Sequence, residues 1–316
     1  MQEKFKELSK TFKLGGIIIN NIYEKLNITS DIAIIIISIA LMLFLGFLMT
    51  RITKKLRLPN VTAYIVTGIL IGPYVLNLIP QKIIDGTAFL SDIALAFIAF
   101  STGEFFRFST IKKNGPKVVI ITLLEALLAS ILVFVVMYFI LHLNLAFSIV
   151  LASLAATAPA STVMTIRQTG AKGDFVDTLL QVVALDDVVG LIAYSIAISV
   201  AMVSSSGTSS NFMDVVKNIG FNVLSLALGC GFGFVLKWLM PKKRSTDNRL
   251  IVSLSIIFLF CGICAVLDTS PLLGCMSMGT IYINITNDDK LFKQLNYFSP
   301  PILLLFFVRS GLNFDL

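Results

Sequence analysis

Apolar runs long enough to cross a lipid bilayer recur along almost the whole of this chain, and no other feature limits its fold so strongly. The run IAIIIISIALMLFLGFLM, residues 32–49, contains no charged side chain. A hydrocarbon core of ~30 Å needs about 20 helical residues. Inside it the backbone must satisfy its own N–H and C=O groups, which for runs of this kind leaves the α-helix. About ten such spans can be drawn, over residues 32–49, 61–79, 87–106, 118–141, 145–166, 175–203, 215–239, 250–267, 272–285 and from 295 to the end. Composition agrees, with 56% hydrophobic and only 14% charged residues, far from a soluble domain. The expected fold class is therefore all-α: a polytopic transmembrane helical bundle over residues 31–316, preceded by a polar or amphipathic segment, residues 1–30. Gly68, Gly72 and Pro73 punctuate the second span. Pro271 and Gly274 open a short ninth, so both are expected to be bent or broken.

The connections between spans test this division. Arg51, Lys54, Lys55 and Arg57 follow the first span, Arg107, Lys112, Lys113 and Lys117 the third, Arg167 and Lys172 the fifth, Lys242, Lys243, Arg244 and Arg249 the seventh, and Lys290 and Lys293 the ninth. Basic residues on alternate connections mark the cytoplasmic side. The net charge of +7 is thus read as a topology signal rather than as a nucleic-acid surface. The lysines and glutamates of EKFKELSKTFKLGGIIINNIY, before the first span, fit a helix lying on the membrane surface. That polar stretch is too long for the basic region of a cleaved signal peptide. Cys230, Cys261, Cys264 and Cys275 all fall in apolar runs and read as packing residues.

Two adjacent acids interrupt the sixth span, LLQVVALDDVVGLIAYSIAISVAMV. Asp186 and Asp187 lie about 17 Å from its cytoplasmic start at 1.5 Å per residue, close to the bilayer midplane. A central aspartate costs about 2.5–3.5 kcal/mol on insertion scales, so two of them call for a functional reason. Adjacent helical residues point about 100° apart, which gives the two side chains different partners. The fifth span supplies a complement. Pro159 lacks an N–H and clashes with the carbonyl of Ala155, so the helix should break there and free carbonyls around Ala155 and Ala156. Thr157, Ser161 and Thr162 bring hydroxyls to the break, at about the depth of the aspartates. Carbonyls, hydroxyls and carboxylates are the hard oxygen ligands a partly dehydrated small cation prefers. Burial favours the neutral form of a carboxylic acid, so a proton and a metal cation contend for one carboxylate. If only an occupied site can cross, the two ions move in opposite directions.

Six segments, in order, resemble the monovalent cation/proton antiporter superfamily, and its paired-aspartate branch in particular: LRLPNVTAYIVTGILIGP, FSTGEFF, ATAPAST, VALDDVVG, LLGCMSMG and LFFVRSGLNFDL, together covering residues 56–316. The resemblance implies a sodium/proton antiporter-like fold in which ATAPAST is the discontinuous crossover helix. It matches Asp187 to the acid common to most of the superfamily, Asp186 to a position that is asparagine in electroneutral relatives, and Thr157 to the crossover threonine. Ala158 stands where some relatives have aspartate. Asp186 and Asp187 are then the ligands of the transported metal cation, and an acid at Asp186 implies electrogenic exchange. Arg309 pairs with Asp186, stabilises a helix interface or sits near water. Glu104 borders an entrance funnel or pairs with Arg107, and Glu125 is a proton relay or a structural partner.

The superfamily builds its transport core from two inverted three-helix halves. The fourth to sixth spans match the first half, and the second is expected beyond the last residue, so the domain is expected to be partial. The function implied is secondary transport rather than enzymatic catalysis: exchange of sodium, or potassium, for protons, with no cofactor beyond the ions carried. The alternatives are a Kef-like potassium efflux protein, a sodium-coupled solute transporter of similar fold, and a non-transporting remnant that partners a complete antiporter. The resemblance further implies a homodimer in a bacterial-type cytoplasmic membrane, with lipid, cation and proton as partners.

Overall fold

The computed structural model describes residues 28, 30–155, 159–206, 212–241, 245–267 and 269–314. The amphipathic N-terminal segment, apart from its last few residues, lies outside them, as do Ala156, Thr157, Lys242, Lys243 and Arg244. Every regular element among the described residues is helical. Two compact units form, one from Met1–Ala94 with Tyr297–Leu316 and the other from Leu95–Asn296.

In the first unit, α1 (Asp31–Lys55) starts at Ser30, whose Oγ accepts from the Ala33 N–H at 3.4 Å, and ends with Lys54 and Lys55 against the negative end of its dipole. α2 (Asn60–Ile71) stops where Gly72 turns extended. Three backbone bonds close the turn that follows: Leu76 N–H to Leu70 O at 3.0 Å, Asn77 N–H to Gly72 O at 2.7 Å and Leu78 N–H to Ile71 O at 3.0 Å. The punctuated second span is thus a short helix, followed by α3 (Gln81–Gly86) and α4 (Phe89–Thr102). α13 (Pro300–Leu312) packs on α2 so closely that a Cβ on Gly68 would overlap the Val308 carbonyl and stand 2.8 Å from Gly311 Cα. Met42, Ile71, Ile79, Ile84, Val308 and Leu312 fill the core.

The second unit continues from α4 through a 3-10 turn, Gly103–Phe105, into α5 (Phe108–Val135) and a π turn, Val136–Ile140. α5 begins ahead of the expected span at residue 118. Pro116 sits inside it, two turns past its start, where the ring gives up one backbone hydrogen bond. α6 (Leu145–Ser153) and α7 (Pro159–Thr169) follow as separate helices where one span was drawn. Then come α8 (Asp174–Ser206), α9 (Phe212–Leu239), α10 (Thr246–Val266), α11 (Pro271–Thr286) and α12 (Asp289–Phe298). The ninth span is unbroken among the described residues, running as α11 from Pro271 to Thr286. Pro271 occupies the first position of α11, where its missing N–H is harmless, and Ser270 Oγ accepts from the Leu272 N–H at 3.3 Å. The tenth span, drawn from residue 295, instead begins inside α12 and gives way to α13 at Pro300.

Among the described residues, Asp31–Lys55, Gly115–Ile140, Gly220–Leu239 and Asp247–Val266 are each long and apolar enough to cross a membrane, and Asp289–Phe298 with Pro300–Leu312 pass the same test together. Only 17% of the best window of each of the first two is buried, leaving apolar faces that hydrocarbon solvates.

Candidate acidic site on helix α8

α8 carries the site. Asp174 and Asp177 lie in its first turn, where the helix dipole favours negative charge. Leu180, Val182, Val183 and Ala184 are buried, so the helix is well packed before it reaches the acids. Asp186 has none of its surface exposed, whereas Asp187 is half-buried. The two neighbours therefore do have different surroundings, as their 100° separation requires.

The other groups come from helices packed against α8, namely α5, α6 and α7. Glu125, on α5, reaches hydrogen-bonding range of Asp186. Its Oε2 is buried with no hydrogen-bond partner. α6 starts at Asn144, whose Oδ1 accepts from the Ala146 N–H at 2.9 Å. Its last turn tightens: Leu154 N–H donates to Leu151 O and Ala155 N–H to Ala152 O, both at 3.2 Å. Helical structure resumes at Pro159. The expected break thus falls between Ser153 and Pro159, with both arms packed on the helix that bears the aspartates. Ala156 and Thr157 lie outside the described residues, so no geometry attaches to them. Past the break Ser161 is exposed and Thr162 half-buried.

Gln181 is a polar group that the sequence reading passed over. It is 5% exposed, and its Oε1 is buried without a hydrogen-bond partner. It precedes Asp186 by five residues on α8, about 7.5 Å along the axis. The signal was present in LLQVVALDD, an amide inside an apolar run, but it carries no charge and so drew no attention.

Glu104 lies in the 3-10 turn, and the charges acting on it are Asp289, Arg107, Arg167 and Lys293. Arg107 itself forms an ion pair with Asp289. Asn284 of α11 secures this corner: its Nδ2 donates to Phe106 O at 2.7 Å, while its Oδ1 accepts from the Phe108 N–H at 2.7 Å. Arg309 belongs to the first unit. There its Nε donates to Ile84 O at 3.3 Å and its Nη1 to Ser91 Oγ at 3.1 Å.

The profile of a family described as "Sodium/hydrogen exchanger, transmembrane" matches residues 39–316. The chain is 25% identical over 286 residues to "Iron transporter MagA" of Paramagnetospirillum magneticum, covering 85% of this chain and 61% of that protein. It is 33% identical over 98 residues to "Cation/H(+) antiporter 19" of Arabidopsis thaliana, covering 28% of this chain and 12% of that protein. The chain thus spans less than two thirds of the length of either. A solved structure of the sodium proton antiporter MjNhaP1 from Methanocaldococcus jannaschii shares its fold, with a TM-score of 0.73 at 18% identity over 91% of this chain and 71% of that one. With a family profile matched along most of its length and apolar helices to span a bilayer, the chain belongs to the sodium/hydrogen exchanger family, within the monovalent cation:proton antiporters, as a multi-pass membrane protein.

Proposed function

We propose that the protein is a secondary active transporter that exchanges a monovalent cation, sodium or potassium, for protons, with Asp187 and Asp186 as the ion-binding carboxylates and Thr157 as a further ligand. One observation carries this reading: two adjacent aspartates, Asp186 buried and Asp187 half-buried, lie well inside α8, against a helix interrupted between Ser153 and Pro159. A carboxylate removed from water needs a compensating positive charge or a proton. Cation and proton therefore exclude each other at one site, and alternate occupancy yields antiport. Hydroxyls and carbonyls at the break, with the Gln181 amide oxygen, supply neutral ligands of the kind small cations prefer.

Two acids allow more than one proton per cation, which makes the exchange electrogenic. The protein works across about ten spans, with the basic connections facing the cytoplasm, as a homodimer in a bacterial-type cytoplasmic membrane. Likeness to a relative named an iron transporter favours a second reading in which the cation is ferrous iron.

Proteoliposomes with an imposed pH gradient test this. Sodium or potassium collapses the gradient through the native protein, Asp187→Asn abolishes the effect, and Asp186→Asn lowers the charge moved per cation. Collapse by ferrous iron alone selects the second reading. A native protein inert to all three cations overturns both.

A further inference from the structure

α1 turns one side to the first unit and the opposite side outward. Met42, Gly46 and Thr53 are buried on the packed side, whereas Phe44, Phe47, Leu48 and Ile52 are exposed, at spacings of three and four that set them in one stripe. Arg51 and Lys55 continue that stripe and are exposed as well. The Arg51 guanidinium lies over the Phe47 ring, 5.0 Å from its centre. The ring covers one face of the cation and leaves its N–H groups, which lie in the plane, for an acceptor.

The helix closes in a two-bond cap: Leu58 N–H donates to Thr53 O at 2.9 Å and Arg57 N–H to Lys54 O at 3.2 Å. Arg57 occupies the left-handed position of this cap, with φ 58°, where glycine is the unstrained choice. Lys54 and Arg57 are exposed beside Lys55, and so are Leu56 and Leu58, at 65% and 40%. No aspartate or glutamate occurs between Asp31 and Asp85. Among the described residues none of these four bases has an ion-pair partner.

Exposed leucines call for an apolar surrounding, and four bases without an acid call for an anion. A headgroup layer supplies both within a few ångströms, phosphate above and acyl chain below. A free phosphate would leave the leucines in water, and a zwitterionic headgroup carries its own counter-charge. We infer that the end of α1, Arg51–Leu58, is a binding site for an anionic phospholipid, with Arg51, Lys54, Lys55 and Arg57 around the headgroup and Ile52, Leu56 and Leu58 against its acyl chains. The site uses none of the ion-binding residues, so it stands or falls apart from the exchange reading.

Full-length protein in a mild detergent, titrated with phosphatidylglycerol or phosphatidylcholine and followed by native mass spectrometry, tests this. Phosphatidylglycerol is retained at lower concentrations than phosphatidylcholine, and added inorganic phosphate does not displace it. Arg57→Gly weakens its retention about fivefold, the contribution of one basic residue near an anionic headgroup. The melting midpoint of that variant without lipid does not fall, because glycine suits the left-handed position. Arg51→Gln with Lys55→Gln weakens retention about 25-fold. Lys172→Gln, which removes an exposed base between α7 and α8, leaves it unchanged. Equal retention of the two lipids overturns the inference, as does Arg57→Gly protein that holds phosphatidylglycerol like the native one. A loss in Lys172→Gln equal to that in Arg57→Gly would make the attraction one of net charge and remove the site. Displacement by inorganic phosphate would make it a free-anion site and refute the lipid assignment.

Discussion

Replacing Arg249 with alanine should destabilise the second unit by an amount that its surroundings set. The guanidinium pairs with Asp288, and the two side chains are only 8% and 20% exposed. Asp288 also accepts from the Tyr282 hydroxyl at 3.3 Å and from the Lys290 N–H at 3.1 Å. Breaking a buried ion pair from one side costs about 3–5 kcal/mol, because the remaining charge stays desolvated. Asp288 keeps two other donors and some exposure, which favours the lower end, about 3 kcal/mol, or roughly a 150-fold change in the folded ratio. Removing the charge from both sides, as in Arg249→Met with Asp288→Asn, avoids the stranded carboxylate while the asparagine oxygen still accepts from Lys290. The double variant should then recover most of the loss. Thermal unfolding in detergent, followed by the fraction that stays monodisperse, compares the three proteins. An Arg249→Ala midpoint equal to the native one would refute this reasoning, as would a double variant no more stable than the single.

At Gly103 a Cβ would stand 2.5 Å from Met276 O and 2.6 Å from Thr280 N, whereas at Gly262 nothing lies within 4 Å. Gly103→Ala is expected to cost about 1–3 kcal/mol by overpacking, and Gly262→Ala to gain up to about 1 kcal/mol of helix propensity; opposite shifts of the detergent melting midpoint check the pair. Gln181→Ala removes the buried amide oxygen proposed above as a cation ligand and should raise the half-saturating cation concentration severalfold while leaving expression and melting intact. An unchanged cation dependence would remove Gln181 from the site.

Long apolar runs predicted α1 and the membrane-length part of α5 because backbone self-satisfaction in lipid leaves few alternatives. Punctuation was harder to interpret. Gly72 and Pro73 do end α2, yet Pro271, read with the same rule, begins an unbroken helix. What separates the two is Ser270, a cap directly before a proline at the first helical position, and that pair is visible in the sequence. Asp186 and Asp187 stood out because charge in an apolar run is costly. Gln181 did not, since an amide costs less and breaks no pattern. The approach of Glu125 to Asp186 depends on how α5 crosses α8, and the pairing of Arg309 with the Ile84 carbonyl depends on a turn between helices. Neither geometry is written in residue spacing.

Asn284 holds the carbonyl before Arg107 and the amide after it with one side chain. The root of α5 is thereby stapled to α11 on both sides of a single residue. This gives α5 an anchored root instead of a loose end, so a small rotation at Arg107 becomes a larger sweep at Glu125 several turns away.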